Sequence, residues 1–117
     1  LVKPKPIIRR KAAKDLFNII INELQQESNL NERTILLVDS MALLEQMKHE
    51  LLDDLKKRGV VELFKNGSQE MYRDNKSVDK VLKVVEQQRK LLAELKLTPA
   101  SDKKVSEVVA VDEFEEF

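Results

Sequence analysis

His49 is the only histidine in the chain, and Glu45 and Asp53 stand four residues to either side of it. On a helix these three side chains share one face, the arrangement a proton relay or part of a metal site would need. Either chemistry requires more: further ligands for a metal, or a nucleophile beside the base. Neither is evident, so His49 reads as a solvated histidine on the polar side of a helix. Asp53-Asp54 and Glu115-Glu116 are paired acids in charge-rich surroundings. No glycine-rich phosphate loop and no Walker-type lysine accompanies them. The sequence therefore reads as that of a non-enzyme with no catalytic set, no metal site and no cofactor. It contains no cysteine, which removes disulfides and thiolate metal sites.

Charge is the next candidate for chemistry. Lys and Arg total 21, as do Asp and Glu, so the net charge points to no partner. Its distribution does. Lys3, Lys5, Arg9, Arg10, Lys11 and Lys14 form an acid-free basic head, and Glu107, Asp112, Glu113, Glu115 and Glu116 form a base-free acidic tail. Six cations in fourteen residues can neutralise several phosphates, giving salt-dependent affinity with little sequence information. The same run can equally serve as a disordered, solubilising arm. Val108, Val109, Val111, Phe114 and Phe117 lie among the tail acids. They suit docking on a larger partner, or a frayed terminus.

The elements that would position these residues are mostly helical. Hydrophobic residues make up 42% and charged residues 36%, while Gly, Pro and aromatics are scarce. Residues 1–8, with two prolines, read as an extended, exposed basic arm. Ala13, Leu16, Phe17, Ile20 and Leu24 recur at helical spacing and predict a helix over about 9–27. Asn31 can cap a second helix over about 32–58, with Leu30 and Ile35 as a hydrophobic staple and Gly59 as its stop. Residues 60–73 read as a β-hairpin around a type I′ turn at Asn66-Gly67. A third helix is expected over about 76–96, capped by Asn75 or Ser77. Residues 100–117 read as a mobile tail with a short strand at Val108 to Val111. The expected fold is a long antiparallel helical hairpin with a β tip, the first helix lying across its open end and residues 9–99 forming the core.

Helices two and three carry more apolar surface than one seam needs. Leu37, Met41, Leu44, Leu51, Leu82, Val85 and Leu92 follow near-heptad spacing, and Leu36, Leu43, Met47 and Leu52 make a second strip. In a chain this short the surplus suits packing against neighbouring copies; a compact three-helix core is the alternative. No apolar run approaches the length that spans a membrane.

In order and spacing these features resemble the P27-type small subunits of phage terminases. The resemblance begins at the Pro-rich entry, Lys3 to Pro6, and continues through AAKDLFNIIINEL and the turn from Asn29 to Leu37. It is most specific over 66–99, where NGSQEMYRDNKSV occupies the family's glycine-containing hairpin and QQRKLLAELKLTP its closing segment. Lys96 stands where a glycine is usual, Asn75-Lys76 where a His-Pro pair is common, and Phe17 where Trp or Tyr is usual. The resemblance covers about residues 3–104. It implies a non-enzymatic subunit in the cytoplasm of the bacterial host that recognises viral double-stranded DNA and recruits and regulates the large ATPase/nuclease subunit. It further implies a homo-oligomeric ring. DNA contacts would fall to Lys3, Lys5, Arg9, Arg10, Lys11 and Lys14. Ring contacts would fall to Leu37, Met41, Leu44, Leu51, Leu82, Val85 and Leu92, and large-subunit contacts to the tail around Phe114 and Phe117. A helical adaptor that binds another protein without touching DNA is the alternative the residues leave open.

Overall fold

A computed structural model describes residues 2–97 together with Val105 and Val109. Within residues 2–97, three helices and one hairpin follow one another: α1 (Lys11–Gln26), α2 (Glu32–Arg58), β1 (Val61–Asn66), β2 (Gln69–Asp74) and α3 (Ser77–Leu95). The molecule is elongated, 62 × 29 × 21 Å.

The apolar stripe of α1 buries Ala13, Leu16, Phe17, Ile20, Ile21 and Leu24. The helix ends where Ser28 takes a left-handed backbone, φ 55°. The amide of Asn29 then donates to the Leu24 carbonyl at 2.9 Å, and that of Ser28 to Gln25 at 3.1 Å. These are the two bonds of a Schellman stop, made here without glycine. The α2 helix starts on a capping box. The Asn31 side chain accepts from the Thr34 amide at 3.0 Å, and the Thr34 hydroxyl accepts from the Asn31 amide at 2.9 Å. Leu30 and Ile35 both pack against the main core. Gly59, at φ 83°, ends α2 with its amide on the Leu55 carbonyl.

Six residue pairs join β1 to β2 in antiparallel register, from Val61 with Asp74 to Asn66 with Gln69. That register leaves Gly67-Ser68 as the turn, one residue later than the sequence suggests. Gly67 has φ 63°, whereas Ser68 is not among the positive-φ residues. A positive φ at the first central position alone is the type II′ pattern, for which glycine is suited.

Asn75 ties the hairpin base to the helices. Its amide donates to Val60 at 2.7 Å, its side-chain nitrogen donates to Gly59 and Asp54, and its side-chain oxygen accepts from the Ser77 amide at 3.0 Å. Asn75 thus satisfies the start of α3, although the residue at the formal cap position, Lys76, makes no side-chain cap bond. At the other end of α3, Lys96 is left-handed, with φ 52° and ψ 45°.

The core has two parts. The larger joins α1, the first half of α2, Leu92 and Leu95 of α3, and Val105 and Val109. The smaller joins Leu52 and Leu55 to Val81 and Val85 nearer the hairpin. Val105 and Val109 are helical and buried; the rest of the tail expected to be mobile, with its short strand at Val108 to Val111, lies outside the described residues. Residues 1–8 do not form a simple extended arm. The Ile8 amide bonds to the Lys5 carbonyl at 2.9 Å, closing a turn with Pro6 inside it, and Ile8 is buried in the core.

Candidate nucleic-acid and partner surfaces

Gln46 on α2 fixes the basic head. Its side-chain oxygen accepts from the amides of Arg9 at 2.6 Å and Arg10 at 3.0 Å, and its nitrogen donates to the Ile7 carbonyl at 2.9 Å. One side chain therefore satisfies three backbone groups just ahead of α1, where helix amides lack partners of their own. With Ile8 buried in the core, the entry to α1 is tied to α2.

The six cations divide on this scaffold. Arg10 pairs with Asp53 at 2.5 Å. Lys5 and Lys11 lie 4.0 Å and 3.9 Å from Asp39 and Asp15, loose surface pairs of little energetic weight. Lys3, Arg9 and Lys14 are exposed and have no ion pair among the described residues. The roles of Gln46 and Asp53 are not legible in the sequence, since their partners are more than thirty residues away.

The seven apolar residues assigned to subunit contacts also divide. Met41 is fully buried, Val85 and Leu92 nearly so, all within the chain's own core. Leu37, Leu44 and Leu51 are half-buried, and Leu82 is 62% exposed. The seam of α3 runs through Val81, Val85, Gln88, Leu92 and Leu95. Leu82 is one residue, about 100° of helix, off that line. The uncovered apolar strip on α2 is Leu36, Leu43 and Met47, continued by Ile7. The hairpin adds Val61, Leu63, Met71 and Tyr72, all exposed. Phe114 and Phe117 lie outside the described residues.

His49 is not solvated, as the sequence suggested, but buried, with its Nε2 3.2 Å from the Glu45 carboxylate. α2 packs against both α1 and α3, so its polar-looking side is covered too. No cluster of three or more potential metal ligands occurs among the described residues, and none of their helices is long and apolar enough to cross a membrane.

The family model described as "Phage terminase, small subunit" matches residues 13–111. This chain belongs to the phage terminase small-subunit family. No curated protein and no solved structure matches it. The match ties this terminase small subunit to phage DNA packaging. It covers α1 from its third residue, and all of α2, the hairpin and α3.

Lys96 illustrates what the fold demands of this small subunit. The backbone of Lys96 is left-handed, a conformation that glycine adopts without steric cost and that the lysine adopts here to end α3.

Proposed function

We propose that this small subunit, of P27 type, binds viral double-stranded DNA through its N-terminal basic segment and brings the large ATPase/nuclease subunit to it, itself contributing no catalytic group. Copies associate into a ring in the host cytoplasm. The observation that carries the DNA reading is the Gln46 clamp, which fixes the backbone of Ile7, Arg9 and Arg10 at the entry to α1, where Arg9, Lys11 and Lys14 are exposed. Pre-ordered cations lose less conformational entropy on binding phosphate than cations on a loose arm. Repetition around a ring multiplies the modest affinity of each patch.

Contacts between copies would use Leu82 and the exposed strip Ile7, Leu36, Leu43 and Met47, flanked by Leu37, Leu44 and Leu51. The tail around Phe114 and Phe117 would reach the large subunit. The deciding experiment is a duplex gel shift at low salt alongside light scattering. Retention of DNA by an oligomer, weakened in an Arg9→Ala/Lys11→Ala/Lys14→Ala variant, supports the reading. The uncovered hairpin, with Tyr72 75% exposed, favours a second reading, a protein-only adaptor. That reading requires a monomer or dimer that retains no DNA.

A further inference from the structure

Charge buried inside the core of this protein is matched: Glu45 and Lys48, both fully buried, pair at 2.9 Å. Asp39 on α2 is different. Its side chain is only 13% exposed, and its Oδ1 is buried without a hydrogen-bond partner among the described residues. The other oxygen lies 4.0 Å from the ammonium of Lys5, beyond hydrogen-bond reach. Ser40, the next residue, spends its hydroxyl on the Leu36 carbonyl at 3.2 Å. A carboxylate oxygen held out of water with no donor is costly, and such a group asks what supplies the donor.

Asp39 lines a pocket. About 190 Å³ of space lies between the N-terminal turn and α2, walled by Ile7, Ile8, Leu36 and Leu43. Its rim continues into the exposed strip that ends at Met47. Apolar walls around one unanswered carboxylate suit a long side chain with an apolar stem and a cationic head. Arginine suits it better than lysine, because a guanidinium is more weakly hydrated and can span both carboxylate oxygens.

α3 presents such a residue. Arg89 is exposed and has no ion pair among the described residues. It follows the exposed Leu82 by two helical turns, so the two share one line of the helix surface. The other exposed cations of α3, Lys80, Lys83 and Lys90, lie roughly 80° or more to the side of that line. The spacing matches the strip on α2 when two such helices cross antiparallel. With Arg89 set over Asp39, Leu82 falls about 10 Å along α3 and Met47 about 12 Å along α2, so leucine meets methionine. Glu86, between Leu82 and Arg89 on the same line, comes toward Lys5 at the pocket rim. Ala93, exposed one turn beyond Arg89, comes beside Leu36, where a small residue leaves room.

We infer that a second copy of this chain completes the Asp39 pocket: Arg89 of the neighbouring copy enters it and pairs with Asp39, while Leu82 of that copy covers Met47. The contact joins two different surfaces, so each copy offers a pocket to one neighbour and an arginine to the other. Such head-to-tail contacts repeat into a ring when the rotation closes. The inference rests on the self-association proposed above and names the polar contact that sets its register.

Light scattering of the full chain over a concentration series tests it. Arg89→Glu, at an exposed site, and Asp39→Asn should each weaken self-association by roughly tenfold or more, with helix content by circular dichroism unchanged. Asp39→Arg combined with Arg89→Asp exchanges the two charges and should recover the mass that either of those changes loses alone. An Arg89→Glu variant with the parental mass at every concentration, or a charge exchange that recovers nothing, would overturn the contact and leave self-association standing. A parent chain that stays a single copy throughout would overturn both.

Discussion

Arg10, the residue just before α1, reaches Asp53 on α2 with a guanidinium–carboxylate bond of 2.5 Å across 43 residues of sequence. Both side chains remain partly exposed, at 37% and 51%, so the pair contributes at most about 1 kcal/mol to stability. In the proposed DNA binding, the pair would also draw one cation of the basic head away from phosphate.

Releasing that cation should be visible in DNA binding. Asp53→Asn is expected to tighten duplex binding at low salt and to steepen the plot of log affinity against log salt by about 0.9, the contribution of one added phosphate contact. Fluorescence anisotropy titrations at several salt concentrations measure the slope. An unchanged slope would place Arg10 away from the DNA.

Two left-handed residues should respond to glycine. Ser28 at φ 55° and Lys96 at φ 52° each end a helix. A side chain costs roughly 1 kcal/mol in that conformation. Lys96→Gly and Ser28→Gly should each raise stability by up to about 1 kcal/mol, partly offset by the greater freedom of glycine in the unfolded chain. Urea midpoints should move up with unchanged m-values. Lys96→Ala, which keeps a Cβ, should give no such gain.

Asp54 makes stability depend on acid. The Arg58 guanidinium first, then the Ser77 hydroxyl, lower its pKa well below the ordinary carboxylate value; burial opposes this and the Asn75 amide adds to it. Because the folded pKa lies below the unfolded one, the stabilisation is complete above about pH 4 and is lost as pH falls from there through the folded value. Urea unfolding between pH 7 and pH 2 should show that loss, and Asp54→Asn should flatten the acid limb. A variant as acid-sensitive as the parent would shift the effect to other carboxylates.

Core and surface positions on α2 should behave oppositely. Met41→Ala, at a fully buried site, should cost about 2–5 kcal/mol of stability. Leu43→Glu with Met47→Lys, at exposed sites, should leave the melt of the protomer nearly unchanged while lowering the mass found by light scattering. A mass unaffected by that pair would direct the subunit contact to Leu82 or the hairpin.

Much of the local structure was legible before the fold was known. The Asn31 cap, the stop at Gly59 and the apolar stripe of α1 depend on residues within a few positions of one another, and their chemistry acts at that range. The hairpin was legible as an element but not in its turn. Asn-Gly and Gly-Ser both supply a glycine, and only the strand register decides which pair turns. The exposed strip was harder to read. In α2, apolar and polar residues occur on every side, and helical spacing alone does not tell which partner covers which side.

The sequence by itself determined that this chain makes long helices, sets a basic cluster ahead of the first, and carries the marks of the terminase small-subunit family. Local hydrogen bonding, side-chain periodicity and charge order are written along the chain, so they can be read from it. Only the tertiary structure decided which cations are paired, that Gln46 fixes the basic head, that His49 and Lys48 are buried, and that Val105 and Val109 return to the core. Each of those depends on residues far apart in sequence being brought together, and burial or pairing at such distances is set by the packing of α1 and α3 against α2 rather than by any neighbouring residue.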